Sequence, residues 1–134
     1  YDIIFLDAFG ADSVPYQLVT REFLAGVSRA LKPRGVVIGN IWGRESNPLY
    51  DSMLRTYQAV YDEVSTVDVH GANNKIVVAS PRKRSLSKEE LVRRARQLTR
   101  ELPLRSDLGD IVERGFHRVG AEGVKGRILT DAGG

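Results

Sequence analysis

Residues 1–7, YDIIFLD, are an apolar run rich in branched side chains that ends on an aspartate. The run alternates little between polar and apolar positions, which is typical of a β-strand covered on both faces. Residues 8–15, AFGADSVP, follow as a loop of mostly small residues. Ligands of open α/β sheets bind beyond the carboxyl ends of the strands. The stretch therefore predicts a buried strand with Asp7 at a ligand-binding edge; the alternative is that Asp7 only caps a turn.

Helix and strand signals alternate along the next part of the chain. Thr20 is placed to cap a helix over residues 20–35, and Asn47 to cap a second helix over residues 47–64. The order strand–helix–strand–helix–strand–strand predicts an α/β fold whose sheet is parallel with an antiparallel end. The further strands are predicted at residues 36–42 (VVIGNIW), 65–70 (STVDVH) and 75–80 (KIVVAS), the last two joined by a hairpin-like connection.

A polar stretch after residue 81 marks a predicted boundary, and residues 82–134 are predicted to form a basic helical extension. Ser87 and Glu90 have the spacing of a capping box, so one helix is expected to begin there. Ser106 is expected to cap a last helix that includes Phe116. The glycine-rich end of the chain is expected to be irregular or frayed.

The composition of the 134 residues excludes several kinds of chemistry. There is no cysteine, and therefore no disulfide, thiolate metal site or cysteine nucleophile. No apolar run approaches the roughly 20 residues of a membrane-spanning helix. We therefore expect a cytoplasmic protein that contacts no membrane, and no metal site is predicted.

The charge is unevenly distributed along the chain. Residues 1–80 carry 7 Lys or Arg and 9 Asp or Glu, whereas residues 81–134 carry 13 and 8. A basic half of this kind binds nucleic acid in some proteins. No aromatic residues alternate with the charges of RRARQLTR (residues 93–100), so a solvated helix face is the favoured interpretation and nucleic-acid binding is unlikely on this sequence.

The run YDIIFLDAF…P…LVTREFL…VSRALKPRGVVI resembles the spermidine synthase (polyamine aminopropyltransferase) family, which has the class I S-adenosylmethionine-dependent methyltransferase fold. NNKIVVAS (residues 73–80) is similar to the closing strand of that fold, and GRILTD (residues 126–131) to the family's C-terminal segment. The resemblance implies a partial Rossmann-like methyltransferase sheet, with residues 1–81 as the C-terminal half of the domain. The family's glycine-rich nucleotide-binding turn has no counterpart, because no GxGxG occurs in the sequence. The chain is therefore expected to be a fragment that begins at mid-fold.

The resemblance also implies roles for individual residues. Asp7 matches the aspartate that acts as general base toward the substrate amine, and Asp7, Ala8 and Phe9 are expected to contact the donor. The family's second acid, three residues further on, is replaced here by Gly10, and Asp12 is the candidate substitute.

Three more residues are candidates for binding the amine. Tyr16 and Gln17 belong to the loop that covers the substrate in the family, and His70 lies close to the position of a family tyrosine. A histidine there can accept a hydrogen bond or a proton near neutral pH, although a solvated strand-end histidine is the alternative.

The resemblance implies transfer of an aminopropyl group from decarboxylated S-adenosylmethionine to a small-molecule amine such as putrescine. The donor is a co-substrate, so no tightly bound cofactor is expected, and the chain alone is expected to be inactive. One alternative is a methyltransferase that uses S-adenosylmethionine itself. Another is a non-catalytic domain that forms a homo-oligomer through the unpaired edge of its first strand.

Overall fold

The computed structural model describes residues 1–7, 15–84, 86–120 and 125–133. Within these ranges the strands and helices alternate at first and then form a hairpin of strands and a hairpin of helices. In chain order they are β1 (Ile3–Leu6), α1 (Arg21–Ala30), β2 (Val36–Trp42), α2 (Tyr50–Val60), β3 (Glu63–Asp68), β4 (Asn74–Ser80), α3 (Lys88–Glu101), α4 (Leu108–Gly115) and β5 (Phe116–Arg118).

The five strands form one sheet in the order β1-β2-β4-β3-β5. β1 and β2 are parallel, and every other neighbouring pair is antiparallel. The predicted α/β class and the β3–β4 hairpin are confirmed. The antiparallel strand β4 lies between β2 and β3, so β1, β2 and β3 all run in the same direction. Their carboxyl ends therefore share one edge of the sheet, which is where Asp7 lies.

The core lies between one face of the sheet and the helices α1 and α2. Thr20 caps α1 as predicted, because its Oγ1 accepts a hydrogen bond from the Phe23 N–H at 3.2 Å. The spacing of apolar residues on α1 and α2 places one stripe of each against the strands. The largest of the fully buried apolar side chains are Leu24, Met53, Leu129, Val37 and Val77.

Several predicted helix boundaries differ from the structure, among them the end of the second helix, which stops at Val60 so that Glu63 and Val64 begin β3. Asn47 lies before α2, where its Oδ1 accepts from the Leu49 N–H at 3.0 Å and forms a turn that precedes the helix. In α4 the cap is Asp107, not Ser106, and its carboxylate accepts from the Gly109 N–H at 2.8 Å. The helix ends at Gly115, and Phe116 begins β5 because it can pair with Val67 of β3.

The predicted irregular or frayed end of the chain is mostly irregular, but its described residues are not frayed, because they pack against the core. Residues 125–133, here called the C-terminal strap, lie against α1 and α2, and Leu129 is fully buried. The Leu129 N–H donates to Thr56 Oγ1 at 2.9 Å. Gly126 has φ +96, and a Cβ there would lie 2.7 Å from Ser52 N, so glycine allows the strap to approach α2 closely.

Candidate functional site

Asp7 lies at the carboxyl end of β1 with its side chain exposed. Asn40 of β2 donates from Nδ2 to Asp7 Oδ1 at 3.2 Å. Asn74, the first residue of β4, donates in turn from Nδ2 to Asn40 Oδ1 at 2.9 Å. This chain of two hydrogen bonds fixes the orientation of the Asn40 amide and holds one oxygen of Asp7 in place. Among the described residues only Asn40 donates to Asp7, whose side chain is exposed.

A cavity of about 380 Å³ opens beside Asp7 and Asn40. Ligand cavities in proteins have volumes of about 300–1,000 Å³, so this one fits a small molecule. Apart from Asp7 and Asn40, its described lining is apolar or aromatic. These residues are Phe5, Leu6, Leu18, Val19, Phe23, Ile41, Met53 and Tyr57. A carboxylate at the mouth of an apolar cavity suits a ligand that carries a cation on an aliphatic chain.

Tyr57 of α2 lies against the sheet at the base of this cavity. A Cβ on Gly39 would come within 2.7 Å of the Tyr57 hydroxyl oxygen, so the glycine lets the hydroxyl approach β2. Burial raises the pKa of Tyr57 well above its usual value, and neighbouring Tyr61 raises it further. The phenol therefore stays neutral at every physiological pH and can take part only as a hydrogen-bonding group.

Three of the residues predicted from the sequence to bind the amine, Tyr16, Gln17 and His70, do not line this cavity. Tyr16 donates its hydroxyl to the Thr130 carbonyl at 3.0 Å, and Gln17 is exposed beside it. His70 is exposed in the turn after β3, and β2 and β4 lie between β3 and β1 in the sheet. None of the three is among the described lining residues. Their roles in binding stay predictions.

Ala8, Phe9 and Asp12, which were predicted to contact the donor or the amine, lie outside the described residues.

Neither Asn74 nor Tyr57 was predicted from the sequence to be part of the site. Asn74 reaches Asn40 only through the pairing of β2 with β4, which places Asn74 opposite Trp42. Tyr57 follows Tyr50 and Leu54 at helical spacing, a pattern that indicates burial and does not by itself indicate a site.

A larger groove of about 710 Å³ lies at the opposite edge of the sheet, where β3 begins. Some of its polar groups already have partners within the protein. Glu63 pairs with Arg118 at 3.0 Å, and Gln58 Nε2 donates to the carbonyls of Val119 and Gly120 at 3.3 and 3.0 Å. We take the smaller cavity as the candidate site, because it holds an exposed carboxylate at the carboxyl ends of the parallel strands.

In the described ranges no group of three or more acidic or histidine side chains could hold a metal ion, and no helix is long and apolar enough to cross a membrane.

A separate charged cluster lies at the carboxyl end of β3. Asp68 Oδ1 accepts from Lys75 Nζ at 2.6 Å, and Asp68 Oδ2 lies 3.3 Å from His117 Nε2 of β5. The hydrogen bond from Lys75 lowers the pKa of Asp68, burial opposes this, and His117 lowers it further. The cluster thus joins three neighbouring strands through one carboxylate.

We expect Asp68→Asn to destabilise the fold at neutral pH and to have less effect in acid. Because the pKa of Asp68 is lower in the folded than in the unfolded state, its contribution is complete above the unfolded pKa and is lost as the pH falls through the folded pKa. The Asp68 side chain is 39% exposed, so the loss should be about 0.2–1 kcal/mol. Urea unfolding of both proteins at about pH 6 and about pH 3 measures this. An equal difference at the two pH values would contradict it.

Comparison with known proteins finds one curated relative that is a polyamine aminopropyltransferase. Over 80 residues the chain is 34% identical to a polyamine aminopropyltransferase of Vibrio vulnificus. The predicted resemblance to this family is confirmed. The match covers 60% of this chain and 26% of that relative, so the chain spans about a quarter of the relative's length. No family profile matches the chain.

Solved structures confirm the methyltransferase-type fold. Human methyltransferase-like protein 13, solved in complex with SAH, superposes with a TM-score of 0.68 at 29% identity, over 80% of this chain and 51% of that one. A probable spermidine synthase from Corynebacterium glutamicum superposes with a TM-score of 0.58 over 94% of this chain and 46% of that one. The identity in the second case is 20%, so this likeness concerns the fold alone.

Proposed function

We propose that this chain is the acceptor-binding part of an aminopropyltransferase that uses decarboxylated S-adenosylmethionine and an amine such as putrescine. The observation that supports this most is the Asp7 carboxylate, held by Asn40 at the mouth of a mostly apolar cavity. An aliphatic diamine places methylene groups against such a lining and a cationic nitrogen beside the carboxylate. The 34% identity to a polyamine aminopropyltransferase over 80 residues also supports the proposal.

In the proposed reaction, Asp7 acts as general base. An ammonium nitrogen has no lone pair, so the amine must lose a proton before it can attack. Asp7 accepts that proton, the nitrogen forms a bond to the methylene carbon next to the sulfonium, and the carbon–sulfur bond breaks. The electron pair of that bond stays on sulfur, which becomes a neutral thioether. Asn40 keeps the carboxylate oriented toward the amine throughout.

In the proposed transferase, residues outside this sequence bind most of the donor, since no GxGxG turn is present here. We therefore propose that residues 1–134 alone bind the amine and do not turn over. Contacts of Asp7, Ala8 and Phe9 with the donor are part of this proposal. So are the contributions of Asp12, Gln17 and His70 to amine binding, and a contribution of Tyr16 through the position of the cavity wall.

A methyltransferase is the second candidate, because the likeness to the human methyltransferase-like protein reaches 29% identity and a TM-score of 0.68. The two candidates differ in the donor. The test supplies the proposed full-length parent protein with putrescine and either decarboxylated or ordinary S-adenosylmethionine, and follows the products by mass spectrometry. Spermidine formed from the decarboxylated donor supports the proposal. A methylated product formed only from the ordinary donor would replace it with the second candidate.

We also propose that the chain self-associates through β1. β1 has only β2 as a described neighbour, and its Ile3 and Phe5 side chains are 50% and 69% exposed. An apolar strand at a sheet edge pairs readily with another strand. We expect light scattering to give a mass above the 14.9 kDa of one chain, increasing with concentration. A strictly monomeric mass at high concentration would contradict this.

A further inference from the structure

One wall of the candidate cavity is formed by the short stretch of chain that leads into α1. Residues 16–23, here called the wall segment, contain a short 3-10 turn (Tyr16–Leu18) and the start of α1. Leu18, Val19 and Phe23 of this segment line the cavity. The position of these three side chains therefore sets the width of the cavity opposite Asp7.

The C-terminal strap is bound to the wall segment by three hydrogen bonds. The Tyr16 hydroxyl donates to the Thr130 carbonyl at 3.0 Å, and the Arg21 N–H donates to the Leu129 carbonyl at 2.7 Å. The Asp131 N–H donates to Glu22 Oε2 at 3.0 Å. The Arg21 N–H belongs to the first turn of α1, where the helix itself provides no acceptor. The strap thus supplies a partner that the wall segment cannot supply for itself.

The other side of the strap is fixed to α2. The Arg127 N–H donates to Ser52 Oγ at 3.1 Å, and the Leu129 N–H to Thr56 Oγ1 at 2.9 Å. α2 also provides Met53 and Tyr57 to the cavity lining. The strap therefore joins the wall segment to the helix that forms the base of the same cavity, with the buried Leu129 side chain between them.

We infer that the C-terminal strap positions the wall of the candidate cavity, with Tyr16 and Leu129 as its positioning residues. Tyr16 acts on the ligand through Leu18, Val19 and Phe23, and its own hydroxyl is engaged by Thr130. The effect on amine binding rests on the proposed function; the effect on the wall segment does not. Residues more than 100 positions apart in sequence thereby control one binding surface.

Tyr16→Phe tests the inference, because it removes one hydroxyl and keeps the ring. Tyr61→Phe is the matched control, since its hydroxyl also donates to a backbone carbonyl, that of Leu24, at 3.1 Å, outside the strap. Amide hydrogen exchange is measured by mass spectrometry on both variants of residues 1–134. Loss of one hydrogen bond should increase exchange in residues 16–23 about fivefold in Tyr16→Phe. Exchange in β2 and β4 should stay unchanged, and Tyr61→Phe should leave residues 16–23 unchanged.

Unchanged exchange in residues 16–23 of Tyr16→Phe, or an equal increase in both variants, would overturn the inference. Calorimetric titration with putrescine then tests its consequence for the site. We expect the Kd to rise about fivefold in Tyr16→Phe only, with the pH dependence of binding unaltered because Asp7 is intact. If putrescine binds none of the three proteins while the exchange result holds, the proposed function fails and the positioning role of the strap stands.

Discussion

Asp7→Asn should lower the turnover of the proposed full-length transferase by about a hundred- to ten-thousandfold, the usual contribution of a general base. Asparagine has the same shape and can still accept the hydrogen bond from Asn40, so the fold should be unchanged. An amide cannot accept the proton of the attacking amine at neutral pH. The loss should therefore appear in kcat rather than in KM alone, and steady-state kinetics with putrescine measures it.

The role of Asp7 can also be tested without turnover, by measuring the binding of putrescine to residues 1–134. A carboxylate and a cation in contact near a protein surface attract each other by about 1–4 kcal/mol, so the Kd should rise at least about fivefold. Asp2→Asn is the control, because Asp2 lies at the other end of the same strand region and pairs with exposed Lys32 at 3.3 Å. If Asp2→Asn and Asp7→Asn weakened binding equally, the assignment of Asp7 would be wrong.

Much of the first part of the fold could be predicted from sequence because its signals are local, but the prediction that β1 is covered on both faces was wrong, since Ile3 and Phe5 are exposed. The limits of β2 were predicted correctly, and the Thr20 cap of α1 is confirmed. β5 could not be predicted, since Phe116 follows Val112 at helical spacing and becomes a strand only by pairing with Val67. Tertiary pairing overrode the local pattern at that point.

The candidate site, like the fold, could be predicted from sequence only where its signals are local. Asp7 stands out because an acid that ends an apolar strand marks the carboxyl edge of a sheet. The support of Asp7 by Asn40 and then Asn74 depends on the order of β1, β2 and β4, which no local pattern specifies. The wall of the cavity depends on contacts between residues 16–22 and 129–131, which are separated by nearly the whole chain.

Leu129→Ala should destabilise the protein by about 2–5 kcal/mol, the range for a fully buried leucine truncated to alanine. The sequence from Gly120 onward is rich in glycine, which predicted an irregular or frayed end. The burial arises instead because Ser52 and Thr56 of α2 offer hydroxyl acceptors to the strap backbone. These bonds place the leucine between α1 and α2. Urea unfolding should show a lower midpoint with an unchanged slope.

Leu102→Ala is the matched control for this prediction, because Leu102 is 48% exposed just beyond α3. Truncation of an exposed leucine should change stability by no more than about 0.5 kcal/mol. If the two variants lost similar stability, the strap would not be part of the core, and its influence on the cavity wall would disappear with it. A large loss confined to Leu129→Ala would instead show that the last residues of the chain stabilise α1 and α2, the two helices that enclose the candidate site.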